Sequence, residues 1–244
     1  NEIQDLFKNS LFSFFVFICC STIGYQINDL IDKNFDKKHK IKKKRPIANE
    51  DINNLEIFLF ISILFIIGII FSILVSKNII ILFFLYILTS LLYSTFLKNI
   101  IILDVITITF FYIIRMLGGT FAIGYDVSIW LFILTFFLSL FIIIIKRIRE
   151  SEKGLIYRNK NLSKFYSSPF FSKITFSLYI SNITIYFLYS TSEILSAQRN
   201  LFFIISSLFF TLGITRYYFI IQKKKSGDFP EEIIIRDFYI LILI

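Results

Sequence analysis

The sequence predicts an all-α, polytopic transmembrane helical bundle of about eight spans. Of its 244 residues 56% are hydrophobic, and the mean hydropathy is +0.75, whereas soluble domains are usually about 45–50% apolar. Uncharged runs of the length needed to cross a hydrocarbon core, about 20 residues of helix, recur along the chain. Only three prolines and eight glycines interrupt them. These observations exclude an ordinary water-soluble domain.

Apolar runs separated by polar breaks define the predicted helices. They cover about 7–30, 54–76, 79–97, 100–122, 127–148, 170–192 and 200–222, with a last one from about 233. The first residue is Asn rather than Met, and the chain stops inside an apolar run. We therefore expect both ends to be truncated and further spans to be missing.

The charge pattern predicts how the chain lies in the membrane. Most of the 26 lysines and arginines fall in every second connection, at 33–45, 98, 146–164 and 223–236. The positive-inside rule places these connections in the cytoplasm, so we expect a multi-pass protein of the cell (inner) membrane with a site facing the cytoplasm. The net charge of +9 is thus topological and predicts no nucleic-acid partner.

Three aspartates close the first predicted span. Asp29, Asp32 and Asp36 lie at positions i, i+3 and i+7, which places them on one helix face with Asn28 beside them. Carboxylates this close repel one another and need a cation, and Mg²⁺ is the hard ion that suits them. The alternative is a solvated helix end. The position next to an apolar span favours a metal site, because ionisable groups at membrane depth are usually functional.

A basic segment follows the aspartates. Most of its lysines suit topology and lipid headgroup contact. Arg45 differs, because Pro46 restricts the backbone before it and a fixed guanidinium can bind a phosphate with two hydrogen bonds. His39 is the only histidine, so the sequence does not support histidine-based zinc or triad chemistry.

Two further polar groups occur later in the chain. The first comprises Tyr93, Lys98, Asp104, Arg115 and Gly118-Gly119, and the second is Lys146-Arg147 at the end of a span. Asp104 and Arg115 are three helical turns apart, so both could face the bundle interior without touching. The glycine pair is interpreted as a close helix contact. Cations at a helix end also favour the helix dipole, which leaves a structural role open for the second group.

The motif Asn28-Asp29-x-x-Asp32-x-x-x-Asp36 resembles the first aspartate-rich motif of the UbiA-type prenyltransferase superfamily. These enzymes are all-helical, lie within the membrane and bind Mg²⁺-diphosphate. Typical members carry a second Asp-x-x-x-Asp motif in a later loop. Here Asp104 is followed at the fourth position by Ile108, which counts against an ordinary aromatic prenyltransferase.

Other motifs resemble one branch, the decaprenyl-phosphate phosphoribosyltransferases. They are Arg45-Pro46-Ile47-Ala48, Tyr93-Ser94-x-x-Leu97-Lys98, Arg115-x-x-Gly118-Gly119, Lys146-Arg147-x-x-Glu150 and the closing Gly227-Asp228-x-Pro230-Glu231-Glu232 with Arg236-Asp237. The resemblance covers essentially the whole chain except the family's first span, which is absent here. It implies one membrane-embedded transferase domain over residues 1–244.

The resemblance implies transfer of a phosphoribosyl group from 5-phosphoribosyl 1-diphosphate to a polyprenyl phosphate, with release of diphosphate. It also implies roles for individual residues. Mg²⁺ is expected on Asp29, Asp32 and Asp36, and Asp104 on a second metal or the ribose. Substrate contacts are expected from Asn28, Lys42, Arg45, Tyr93, Lys98, Lys146 and Arg147.

Two alternatives remain at this stage. One is a prenyltransferase of the same superfamily, in which the diphosphate sits on the prenyl chain and the acceptor is aromatic or a lipid. The other is an ion-coupled transporter, with the aspartates as an ion site. Transporters often show inverted repeats. This chain has no clear internal repeat, and its acids cluster at a helix end.

Overall fold

The computed structural model describes residues 2–38, 42–152, 160–195, 202–223, 235 and 237–243. Every regular element in these ranges is helical, as the all-α prediction requires. The helices are α1 (Glu2–Asp36), α2 (Pro46–Asn49), α3 (Asn54–Val75), α4 (Lys77–Thr95), α5 (Leu103–Ala122), α6 (Ile129–Glu152), α7 (Lys160–Tyr166), α8 (Pro169–Leu195), α9 (Phe202–Lys223) and α10 (Phe238–Leu243). Short 3-10 helices lie at Lys42–Lys44 and Leu97–Asn99.

Six of these helices are long and apolar enough to cross a membrane, namely α1, α3, α4, α5, α6 and α9. Helix α8 has 27 residues but is not among the six, and α10 has six residues. The eight predicted spans therefore correspond to eight observed helices. The prediction of a polytopic helical membrane protein is confirmed, and the number of spans is confirmed only approximately.

The chain forms two compact units, residues 1–127 and 128–244. In the first, α1 packs against α3, α4 and α5, and its buried side chains join those of α4, such as Phe83 and Tyr86, in one apolar core. In the second, α8 packs against α6 and α9, and α10 packs against α9. Arg216 of α9 holds Asp237, just before α10, through two hydrogen bonds of 2.7 and 2.9 Å. The expectation of a single domain over the whole chain stays a prediction.

The length of α1 decides where its aspartates lie. Its 35 residues extend roughly 52 Å at about 1.5 Å per residue, whereas the hydrocarbon core is about 30 Å thick. The uncharged run of α1 covers Leu11–Asn28. The helix therefore continues beyond the apolar layer and carries Asp29, Asp32 and Asp36 at its boundary with water.

Helices α1 and α5 approach closely at Gly118. A Cβ atom on Gly118 would lie 1.9 Å from the Phe17 ring, whereas a Cβ atom on Gly119 would meet nothing within 4 Å. The Ser13 hydroxyl donates to the Gly118 carbonyl at 3.1 Å. The predicted close helix contact is thus found at Gly118 and not at Gly119.

Replacing Gly118 with alanine should destabilise the first unit, because the new methyl group must displace a buried aromatic ring. Overpacking of this kind typically costs about 1–3 kcal/mol. We expect a lower melting temperature for Gly118→Ala in detergent micelles. Gly119→Ala adds the same methyl group into open space on the same helix, so it should be at least as stable as the wild type, because alanine is favoured over glycine inside a helix. Equal melting temperatures for the two variants would contradict the packing described.

Candidate active site

The three aspartates of α1 line one face of its last turns, as their spacing predicts. Asp32 is 2% and Asp36 1% exposed, whereas Asp29 is only partly buried. Carboxylates buried to this extent need nearby cations, because desolvation of an unpaired charge is costly. The cations come from two different segments of the first unit.

Arg45 supplies one of these cations. Its Nη1 atom lies 2.5 Å from Asp29 Oδ1 and 3.1 Å from Asp36 Oδ2. One nitrogen atom thus bridges two carboxylates that are two helical turns apart. The backbone of Arg45 is extended, and Pro46 occupies the first turn of α2. This is the restriction that proline was expected to impose. The fixed guanidinium therefore rests on the acidic face.

Lys98 supplies the second cation, from the 3-10 helix between α4 and α5. Its Nζ atom lies 2.7 Å from Asp32 Oδ1 and 3.0 Å from Asn28 Oδ1. The side chains of Lys98 and Asp32 are 8% and 3% exposed, so this ion pair is buried. Burial lowers the pKa of Lys98 to about 8, and the charges of Asp36 and Asp29 oppose that shift. Lys98 therefore keeps its proton at neutral pH.

Asp104 lies in the first turn of α5 and is 3% exposed. It accepts a hydrogen bond of 3.0 Å from the hydroxyl of Tyr93, near the end of α4. Tyr93, in the last turn of α4, thus contacts Asp104 of α5. Lys98, in the 3-10 helix that follows α4, contacts Asp32 of α1. These contacts tie α1, α4 and α5 together at one end of the bundle.

The carboxylate oxygens of this face suit a hard divalent ion that is also bound by substrate phosphates. Within the described ranges no three His, Cys, Asp or Glu side chains converge to enclose a metal on their own. Mg²⁺ usually takes only one or two protein carboxylates and completes its shell with water and substrate phosphates. Asp29 and Asp36 already reach one cationic atom together, Arg45 Nη1. The carboxylates therefore fit a shared magnesium–diphosphate site, and the metal assignment of all three aspartates stays a prediction.

Beside the acidic face lies a basic cavity of about 460 Å³. It is lined by Lys37, Lys43, Lys44, Ala48 and Asn49. Glu50, next to the cavity, accepts contacts of 2.7 Å from Lys37 and 3.2 Å from Lys33. The hydrogen bonds from Lys37 and Lys33 hold the pKa of the Glu50 carboxyl below its ordinary value.

Lys146 and Arg147 belong to the second unit, near the C-terminal end of α6. Arg147 forms an ion pair with Glu150 of the same helix. The neighbouring Arg149 contacts the Ile221 carbonyl of α9 and pairs with Glu152 at 2.7 Å. The substrate contacts predicted for Lys146 and Arg147 stay predictions. His39 and residues 227–232 and 236 of the closing motif lie outside the described residues.

Several partners in the first unit could not be identified from sequence. Arg115 donates to the Tyr86 hydroxyl at 2.7 Å and lies over the rings of Tyr86 and Tyr112. Tyr86 and Glu50 carried no motif signal, and Lys37 stood among many lysines of one connection. The sequence offered one signal, because Arg115 lies within an apolar span and a cation there requires a partner. It did not show which residue the partner is.

The described part of the chain is thus a helical membrane bundle with a carboxylate face at its water boundary. The model of the UbiA prenyltransferase family matches residues 3–229. The chain therefore belongs to the UbiA prenyltransferase family, and the resemblance noted in the sequence is confirmed.

Curated relatives bear the name of the branch that the motifs indicated. The decaprenyl-phosphate phosphoribosyltransferase of Mycolicibacterium smegmatis is 27% identical over 253 residues, covering 99% of this chain and 79% of the relative. The protein of the same name from Mycobacterium tuberculosis is 24% identical over 239 residues, covering 96% and 77%.

Solved structures share the fold. A UbiA homolog from Archaeoglobus fulgidus bound to DMAPP and Mg²⁺ superposes with a TM-score of 0.74 at 17% identity, covering 91% of this chain and 78% of that one. The same homolog bound to GPP and Mg²⁺ gives a TM-score of 0.74 at 15% identity, covering 97% and 82%. At these identities the likeness establishes the all-helical fold alone.

The buried pair of Lys98 and Asp32 should couple strongly in stability measurements. Lys98→Met removes the cation and leaves a buried carboxylate, and breaking a buried pair in this way typically costs about 3–5 kcal/mol. Asp32→Asn in the same chain removes the charge that was left behind. We therefore expect Lys98→Met alone to unfold at a clearly lower temperature than the double variant. Additive losses in a double-mutant cycle would show that the two side chains do not interact.

Proposed function

We propose that this protein transfers a 5-phosphoribosyl group from phosphoribosyl diphosphate to a polyprenyl phosphate and releases diphosphate. The observation that carries the proposal is the buried acidic face, balanced by cations, at the membrane boundary. The names of the two mycobacterial relatives support this donor and acceptor. The basic connections support a site that faces the cytoplasm, where a water-soluble donor is available.

The acidic face would hold the leaving group. Asp29, Asp32 and Asp36 are the residues that would bind Mg²⁺, and the Mg²⁺-bound UbiA homolog of the same fold supports this choice of ion. The ion would supply neutralisation of the charge that develops on the departing diphosphate. Carboxylates alone would repel diphosphate, so this face serves the reaction only together with divalent and side-chain cations.

Arg45 and Lys98 would provide the side-chain cations. Both already lie within 3.1 Å of an aspartate oxygen on this face, so each is close to where diphosphate would bind. Arg45 presents a planar fork suited to phosphate oxygens, whereas Lys98 is a buried point charge. Asn28 Oδ1 and Asp32 Oδ1 hold the Lys98 ammonium group in place. Lys42, Tyr93, Lys146 and Arg147 are proposed as further substrate contacts.

The acceptor would enter from the membrane. Its phosphate must meet C1 of the ribose at the level of the aspartates, while its apolar chain remains among lipids. The continuation of α1 past the apolar layer provides this level. A phosphate acceptor is already an anion at neutral pH, so no side chain has to remove a proton from it. Asp104, held by Tyr93 at 3.0 Å, is proposed to contact the ribose or a second metal.

A prenyl-diphosphate donor with an aromatic or lipid acceptor is the second candidate. The family description and the prenyl ligands of the Archaeoglobus homolog favour it. Ile108 stands at the fourth position after Asp104, where typical family members have the second aspartate of an Asp-x-x-x-Asp motif. This departure counts against a prenyl-diphosphate donor and favours the phosphoribosyl donor. Mass spectrometry of the lipid product decides between the two, because a phosphoribosyl group and a prenyl group differ in mass. A prenylated aromatic product without any phosphoribosyl lipid would replace our proposal.

Asp29→Asn and Asp32→Asn should each abolish transfer while the protein remains folded in the membrane. Asp32→Asn should also lower the melting temperature, because it leaves the Lys98 ammonium group without its buried carboxylate. Each variant removes one metal-binding charge while preserving the shape of the side chain. Asp5→Asn provides a matched control, since Asp5 is an exposed acid in the first turn of the same helix. Transfer is measured with Mg²⁺, phosphoribosyl diphosphate and a polyprenyl phosphate. Wild-type turnover by both site variants would remove the metal assignment.

A further inference from the structure

We propose that the basic cavity formed by Lys37, Lys43, Lys44, Ala48 and Asn49 binds the monophosphate end of the sugar-phosphate donor. This subsite rests on the proposed function and extends it, because it names where the second anionic group of the donor lies. The cavity has a volume of about 460 Å³. That is ample room for a phosphate group with its hydration shell.

The position of the cavity follows from the segments that build it. Lys37 comes directly after Asp36, and Lys44 directly before Arg45. Asp36 and Arg45 are themselves in contact at 3.1 Å. The two segments that line the cavity are thus joined at the acidic face. A ligand could hold one anionic group at each of these adjoining sites.

The charges of the cavity select an anion. Three lysines line it, and the acids next to it are already engaged. Glu50 accepts from Lys37 and Lys33, and Asp51 accepts a hydrogen bond of 2.8 Å from the Asn49 side chain. A phosphate monoester carries close to two negative charges at neutral pH, so it can replace Glu50 as the partner of Lys37. Lysine binds phosphate as a point charge.

Glu50 ends α2 beside the cavity. It adopts a left-handed conformation with φ of 63° as the C-cap of that helix, and its backbone N–H donates to the Ile47 carbonyl. A left-handed residue at this position is common where a helix ends. The turn places Glu50 where it pairs with Lys33 and Lys37, at the edge of the cavity.

The subsite distinguishes the two donors considered above. Phosphoribosyl diphosphate has an anionic group at each end of the ribose, whereas a prenyl diphosphate has one diphosphate and an apolar tail. A basic cavity next to the acidic face would bind the additional phosphate of phosphoribosyl diphosphate, and a prenyl diphosphate has no group for it. The same chemistry could be met by an anionic lipid headgroup, and the experiment must separate the two sources.

The test measures donor affinity in nanodiscs of zwitterionic phosphatidylcholine, where no anionic headgroup is present. The variant is Lys43→Gln/Lys44→Gln, and both lysines are exposed, so the fold should be retained. Because hydrogen bonds to charged groups are each worth about 1.5–3 kcal/mol, we expect at least about tenfold weaker binding of phosphoribosyl diphosphate. Ribose 5-phosphate should displace the donor from the wild type and lose this ability in the variant by a similar factor. Inorganic diphosphate with Mg²⁺ should compete equally in both.

The control variant is Lys38→Gln/Lys77→Gln. It removes the same number of charges, one from the same connection and one from the start of α4, and neither side chain lines the cavity. Lys43→Arg/Lys44→Arg should restore most of the affinity. Unchanged donor affinity in the glutamine variant, with transfer intact, would overturn the subsite and leave the proposed reaction standing. Absence of any phosphoribosyl transfer by the wild type would instead overturn the reaction itself.

A glutamine variant that binds the donor normally but loses affinity for vesicles containing phosphatidylglycerol would assign the cavity to lipid headgroups and overturn the subsite. Thermal unfolding of each variant confirms that folded proteins are compared.

Discussion

The structure of the first unit depends on the balance of charge around three carboxylates at the membrane boundary. Asp32 and Asp36 are almost fully buried, and a buried carboxylate is tolerated only when cations and hydrogen bonds compensate its lost hydration. Arg45 compensates Asp36 from 9 residues away, and Lys98 compensates Asp32 from 66 residues away. The acidic face therefore holds the end of α1, the connection after it and the end of α4 in one arrangement.

This balance explains how an apolar bundle can carry a polar site. The apolar core of α1 and α4 fixes the two helices side by side, and the close contact of α5 at Gly118 brings the third helix near. Polar side chains just beyond the apolar layer then come into contact at one end of the bundle. Lys98 reaches Asn28 and Asp32, and Tyr93 reaches Asp104. Polar residues that are distant in sequence thus converge because apolar packing has already positioned their helices.

Much of this fold could be predicted from the sequence, because long apolar runs are a strong signal. The second predicted span, 54–76, matches α3 at Asn54–Val75. Helix α1 extends to Asp36 rather than ending near residue 30, since loss of apolarity ends the membrane layer but not the helix. Helix α5 begins at Leu103 rather than 100, because a 3-10 helix ends at Asn99 and Ile102 has a φ of 73°. Local backbone geometry of this kind leaves no trace in hydropathy.

The acidic face was predictable in its residues and less so in its contacts. The aspartate spacing predicted one acidic face, and Pro46 predicted the extended backbone of Arg45. That Arg45 bridges Asp29 and Asp36, and that Lys98 is the buried partner of Asp32, depends on packing between distant helices. Lys37, Lys43 and Lys44 line the basic cavity beside this face, but the sequence alone could not separate these three lysines from topological charge.

The central claim is that carboxylates at a lipid–water interface take up a divalent ion which in turn retains a pyrophosphoryl group. Equilibrium binding of phosphoribosyl diphosphate to the purified protein, with Mg²⁺ present and then with all divalent ions chelated, addresses this claim directly. We expect chelation to abolish measurable binding and added Mg²⁺ to restore it. Equal affinity under both conditions would contradict it.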